Sequence, residues 1–228
     1  MRARHRHLNQ RDAGATFVLD SRFINQSDGS EISQWNDRSG QANHAAQAVS
    51  ANRPTFKTAI QGGNGVARFD GSNDSLTTTT NVSLNEPYTQ IFIGKKTGSR
   101  LFSLSDSAAN RTYALIDVGD NNVYWGCRDT NRAAGVATSV GSFADFSIWV
   151  AEMSSSTGAA WRNGSSLSPV SQFGAVGSSG NANTIGSRGG DYSAGDKALI
   201  VILSKTLSSA ARKRLEHAAA YSFKIACN

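Results

Sequence analysis

Short apolar and alternating runs recur along the chain, separated by clusters of Gly, Asn, Asp and Ser. They are TFVLD (16–20), GVARFD (65–70), TQIFIGKK (89–96), RLFSLS (100–105), TYALIDV (112–118), NVYWGCR (122–128), FSIWVAEMS (146–154), AAWRNGSSLS (159–168), NTIGS (183–187) and KALIVILSK (197–205). Apolar side chains at every second position suit strands with a buried face, and the spacing of the runs is that of a β-sandwich. The sharpest connection is RNGS, where Asn163-Gly164 accepts the positive φ angles of a type I′ hairpin turn. ISQWNDRSGQANHAAQ (32–47) reads as a strand end, a polar turn and a second short extended piece around Trp35.

The chain's end differs in kind. LSSAARKRLEHAAAYSFK (207–224) sets Ala211, Leu215, Ala219 and Phe223 four residues apart, with Ala218 beside them. That stripe predicts one amphipathic helix over 208–224 packed on the sandwich, with Arg212, Lys213 and Glu216 mostly on the other side and a basic face outward. Ser208 is its expected N-cap. Ala211 stands where a Glu would complete a capping box, so the helix alone is expected to be slightly less stable. Lys197, at the start of the last strand, points to an edge or exposed position there.

Composition supports an all-β reading. Charged residues are 18% of the 228, Gly numbers 22, and three prolines mark no internal boundary. We therefore read one domain over 16–228 behind a basic arm of residues 1–15. The net charge of +6 resides at the two ends, the body being close to neutral. Arg2, Arg4, Arg6 and Arg11 crowd the arm, which either docks on an acidic surface or is a solvated terminus. No apolar run follows it, so a secretory signal is not expected, and no run approaches transmembrane length. Cys127 and Cys227 have no metal-ligand spacing and read as two buried thiols or one disulfide to the C-terminus.

The order WNDRSG…HA (35–45), RP (53–54), VARFDGSNDSL (66–76), YTQIFIGKK (88–96), WRNG (161–164), IGSR (185–188) and the closing strand with its helix resembles the laminin-G-like, concanavalin A-like lectin/glucanase superfamily. The likeness lies with the branch found in bacteriophage structural proteins and bacterial surface proteins, and it spans about residues 16 to 225. It implies a two-sheet antiparallel jelly-roll sandwich. It also implies that Trp35 packs inward at a corner where Asp37 binds amides of its own turn, and that Asp70, Gly71 and Asn73 form a tight turn between strands. The other reading of Asp70, Asn73 and Asp74 is calcium, for which three clustered oxygens fall short of the usual six.

Glucanases of this superfamily use paired carboxylates on one strand face, roughly 5 Å apart for retention. None of the four glutamates, Glu31, Glu86, Glu152 and Glu216, is followed two residues later by Asp or Glu. Serine elbows, H-E-x-x-H and phosphate loops are absent too. We therefore expect no enzyme, no cofactor and no metal.

Binding remains. Trp35 and Trp149 read as core, whereas Trp125, Trp161 and Tyr192, with Arg128 and Asp191 as polar neighbours, are the candidates for stacking on sugar. The resemblance and the basic ends imply a virion component: a capsid decoration, head-fibre or tail protein assembled in the host cytoplasm. It would be oligomeric within its assembly, dock on other virion proteins through the arm or the helix, and present a sandwich to host-surface glycans. The alternative is a carbohydrate-binding module of a bacterial surface protein. A nucleic-acid partner is disfavoured because the β body carries no such motif.

Overall fold

The computed structural model describes residues 14–82, 87–98, 104–106, 123–125, 135–137, 141–154, 157–172, 182–188 and 190–228. In chain order the strands are β1 (Ala15–Asp20), β2 (Gln34–Trp35), β3 (Ala45–Ala46), β4 (Thr55–Gln61), β5 (Asn64–Asp70) and β6 (Leu76–Thr78). Next come β7 (Tyr88–Lys96), β8 (Leu104–Asp106), β9 (Val123–Trp125), β10 (Gly135–Ala137), β11 (Ser147–Ser154) and β12 (Thr157–Arg162). The last are β13 (Ser165–Leu167), β14 (Pro169–Gln172), β15 (Asn183–Ile185), β16 (Ser187–Arg188), β17 (Asp191–Tyr192) and β18 (Ala194–Leu203), before helix α1 (Ser209–Phe223). The run 112–118 and the arm's Arg2, Arg4, Arg6 and Arg11 lie outside the described residues, as does Cys127, the prospective partner of the half-buried Cys227.

The strands form the expected antiparallel sandwich. An eight-stranded sheet runs β13-β12-β11-β7-β18-β5-β4, with β1 also paired to β18. A five-stranded sheet, β2-β3-β6-β15-β8, lies opposite, and β14-β10-β9 and the β16-β17 hairpin complete the architecture. Alternation divides the large sheet's apolar side chains between two cores. Phe17, Phe69, Phe92, Trp149, Ile200 and Ile202 meet Trp35, Leu76, Leu104 and Ile185 between the sheets. Val18, Val66, Ile91, Ile93, Ile148, Leu199 and Val201 face outward and are covered by Ala219, Ala220 and Phe223 of α1.

The corner around Trp35 is built as the resemblance implies. Trp35 is buried at 1% exposure. The Asp37 carboxylate accepts from the amides of Ser39 and Asn43 and from the Ser39 hydroxyl, and reaches back to the Val18 amide of β1 at 2.9 Å. The turn is thereby fastened to the large sheet. Asp70 acts similarly, accepting from the amides of Ser72, Asn73 and Asp74. The β12–β13 turn has Asn163 at φ 50° and Gly164 at φ 84°, as its Asn-Gly pair requires.

Helix α1 has the expected bounds, with Ser208 accepting from the Ala211 amide at 3.3 Å. The Gln61 and Asn64 side chains, at the β4–β5 tip, donate to the Phe223 and Ser222 carbonyls at the other end. Its rotation corrects the sequence reading. Arg212 and Glu216 lie on the inner side with Ala219, Ala220 and Phe223, while Ala211 and Leu215 are only half-buried. The two charges survive there because Arg212 donates to Glu216 one turn away and stacks over the Trp161 ring at 4.1 Å. Burial pushes the Glu216 carboxyl up, and Arg212, His217 and Lys213 pull it down. No helix among the described residues is long and apolar enough to cross a membrane.

Lys197 is the second correction. It is fully buried in a strand with neighbours on both sides, neither at an edge nor exposed. A bulge explains its direction: β18 pairs Lys197 with Gly94 but Leu199 with Ile93, leaving Ala198 extra. Ala198 and Leu199 both join the helix-side core, so Lys197 turns toward the space between the sheets. Its Nζ donates to Ser193 Oγ at 2.8 Å and sits 4.1 Å from the Phe69 ring centre. Asp196 points the other way, buried, holding Arg68 through both oxygens and Lys95 at 3.7 Å.

Two predictions arise from these buried charges. Arg212→Ala strands the Glu216 carboxylate and should cost about 3–5 kcal/mol, whereas replacing both residues by leucine should recover most of that loss. Urea titration of the three proteins checks this; a double variant as weak as the single one would refute the account.

The other concerns pH. Burial pushes Lys197 down to about 7, so between there and the ordinary value near ~10.4 the unfolded chain holds a proton that the folded chain does not. Stability therefore rises with pH across that window. Asp74, pushed up to about 6 by burial, acts in the opposite sense below it: the folded chain binds the extra proton between ~3.9 and that value, so stability falls as pH rises there. Between pH 7 and 9.5, Lys197 should contribute a gain of roughly 2–3 kcal/mol that Lys197→Met lacks. Urea midpoints of the two proteins should diverge in slope over this range, and parallel slopes would sink the assignment.

Candidate functional site

Pairing register brings several chain segments to one end of the large sheet. Asp70 of β5 lies opposite Ala194, Gly195 opposite Lys96, and Gly94 opposite Ser147. Asn163 of the β12–β13 turn is tied to Ile148 both through its amide and through its Oδ1. The loops meet closely: a Cβ on Gly98 would fall 2.6 Å from the Ala194 Cβ, and one on Gly71 2.8 Å from it. A Cβ on Gly195, whose φ is 141°, would fall 2.2 Å from the Lys95 carbonyl oxygen.

At this loop end lies an open groove of about 820 Å³, with Lys96, Thr97 and Gly98 on one side and residues 141–144 on the other. Its walls are fixed by β7. The Lys96 amide donates to the Phe143 carbonyl at 2.8 Å, and the Thr97 amide to the Ala194 carbonyl at 3.2 Å. Phe143 turns into the core and stacks on Trp149, with ring centres 5.2 Å apart and planes 17° apart. Arg162 supports the 141–144 loop from behind. Its guanidinium lies 4.7 Å from the Trp149 ring centre, donates to Ser147 Oγ at 3.1 Å, and also donates to the Ser142 carbonyl. Burial lowers its pKa while Asp145 raises it.

Lys96 Nζ lies 5.2 Å from the Phe143 ring centre, which places a cation at the groove wall. Among the described lining residues Lys96 is the ionisable one, accompanied by the Thr97 and Ser142 hydroxyls and backbone amides. That surface offers hydrogen-bond donors, a positive charge and apolar patches. It suits a polar ligand with some apolar faces.

The residues singled out from sequence do not assemble as one set. Asp191, exposed, and Tyr192, half-buried, sit in the β16–β17 hairpin at this same end, just ahead of Ala194. Trp161 lies on the helix side of the large sheet under Arg212. Trp125 belongs to β9 in the small three-stranded sheet, where only its backbone is described, and Arg128 lies outside the described residues. Lys96, Thr97 and Phe143 were not anticipated. The available signal was Phe143 itself, an aromatic within the turn chemistry of VGSFAD.

No family model and no curated protein sequence matches the chain. Solved structures do resemble it. A Trypanosoma rangeli sialidase in complex with sialic acid gives a TM-score of 0.61 at 13% identity, over 95% of this chain and 34% of that one. An HCR/D mutant gives 0.65 at 10% identity, over 91% of this chain and 53% of that one. The binding domain of Paraclostridial Mosquitocidal Protein 1 gives 0.58 at 13% identity, over 93% and 53%. The chain thus spans about a third to a half of the length of the structures it resembles. At these identities, what it shares with them is the β-sandwich fold.

Proposed function

We propose that this chain is a non-catalytic, glycan-binding β-sandwich whose ligand seat is the loop-end groove. The observation that carries the reading is the groove itself: about 820 Å³, open, and walled by Lys96, Thr97 and Ser142 on a strand-anchored frame. That volume lies within the range of about 300–1,000 Å³ usual for ligand sites. Loops at the end of a rigid sandwich are where such folds place recognition. A sugar offers hydroxyls for the amides and hydroxyls here, and C–H faces for the apolar stretches. The shared fold with a sialidase in complex with sialic acid and with the binding domain of a mosquitocidal protein supports this reading by analogy. The donors along the described lining, Lys96 and the hydroxyls of Thr97 and Ser142, support reading the groove as a binding site.

A virion location, with attachment to other virion proteins and display toward a host surface, is the biological setting we favour. It rests on the sequence resemblance and the basic ends. A bacterial surface module would use the same groove.

Immobilised glycans should retain the protein, and calorimetry on those retained should show binding weakened about tenfold or more by Lys96→Ala or Ala144→Trp. Ala144 is exposed and Lys96 half-buried at the groove wall, so thermal melting should move little for the first and by about 1 kcal/mol or less in stability for the second. Retention of no glycan, or full affinity in the groove-filling Ala144→Trp variant, would reject this seat.

A further inference from the structure

The outward flank of α1 and its C-cap carry a line of exposed basic and aromatic residues. Lys213, Arg214, His217 and Tyr221 of α1 are exposed and, at 3.6 residues per turn, form one stripe, which the exposed C-cap Lys224 extends. From Lys213 to Lys224 it runs about 16 Å along the axis. Glu216 is the one carboxylate on α1, and it is turned inward and taken by Arg212. The ion pairs among the described residues do not include Lys213, Arg214 or Lys224. Within the stripe stands Tyr221, 67% exposed, the most exposed large apolar side chain of the described residues.

We propose that this stripe is a docking surface for an acidic segment of a partner protein, with Tyr221 as its apolar anchor. Three features select that partner. Nucleic-acid binding driven by charge alone gains its affinity contact by contact with phosphates, and a stripe with three Lys and Arg residues supplies few of them. Segments that bind anionic lipid by charge carry about 4–8 Lys and Arg, more than the three of this stripe, and the apolar face that could insert beside them is packed on the large sheet. A tyrosine ring among basic groups is instead typical of protein interfaces, where aromatic residues and arginine are enriched and become energetic anchors. Carboxylates one turn apart on a partner would meet Lys213 or Arg214 and then His217, and one two turns further on would meet Lys224 beyond Tyr221. The surface is separate from the groove, so it stands independently of the glycan reading.

The test uses the full chain and fluorescence anisotropy with two synthetic peptides of about 20 residues, one of Glu and Ala, the other with Leu at every fourth position. Both should bind and weaken with salt, the leucine peptide more tightly. Reversing the stripe in the double variant Lys213→Glu, Arg214→Glu should reduce binding about tenfold or more. Tyr221→Ala should remove the advantage of leucine. Reversal of the arm through Arg2→Glu, Arg4→Glu and Arg6→Glu should leave most of the binding intact. The proposal fails if arm reversal, rather than stripe reversal, abolishes binding, or if neither peptide binds in a salt-dependent way. It fails equally if duplex DNA or phosphatidylserine vesicles bind more tightly than the peptides and lose that binding on stripe reversal. Unchanged melting of the variants, and glycan retention equal to wild type where wild type is retained, would separate loss of docking from loss of fold or of the groove.

Discussion

Strand β18 is buried on both faces, and most of the architecture answers to that constraint. Nine of its ten residues are buried. It pairs β7 along one edge and, along the other, β5 for its first part and β1 for its second. A strand so placed can be apolar on both sides only if each face of its sheet is covered. The five-stranded sheet covers one face and α1 the other. The helix is therefore a structural necessity for this sheet before it is anything else, and its outward flank is what remains for a partner.

The charges on and around β18 show how the constraint is met. Asp196 and Lys197 are neighbours in sequence and face opposite sides of the sheet by ordinary alternation, and the bulge at Ala198 decides which side each takes. Each finds its own compensation, Asp196 from Arg68 and Lys95, Lys197 from Ser193 and the face of Phe69. Ser193 also donates its amide to the Gly186 carbonyl, so the β16–β17 hairpin is held at the base by the same residue whose hydroxyl holds the lysine. The loop end that carries the groove thus rests on a buried polar layer. A frame of this kind keeps loops in one arrangement, which favours recognition without reordering.

Much of the fold was legible because its signals are local. Alternation marked the strands, Asn163-Gly164 marked a hairpin, Ser208 marked the start of the helix, and the polar run after Trp35 marked a turn that the family resemblance made a corner. Each needs only neighbours within a few residues: a φ angle that Asn-Gly tolerates, or an amide that Ser208 or Asp37 can reach. The site was legible only in part, since Tyr192 and Asp191 do stand at the loop end while Trp161 is committed to Arg212.

What required the tertiary structure was direction. Leu215 looks like the centre of the buried stripe until Trp161 offers its face to Arg212 and draws the helix round to bury the Arg212–Glu216 pair. Lys197 looks like an edge residue until one extra residue in the strand, invisible to a period-two pattern, turns it inward. The groove joins residues near 96 and 143 because β7 and β11 are paired, a contact that no local window contains. Local chemistry therefore decided which elements form and where they begin and end. Long-range packing decided which way their side chains point, because the free energy of burying a charge depends on what lies across the interface rather than on what lies next in the chain.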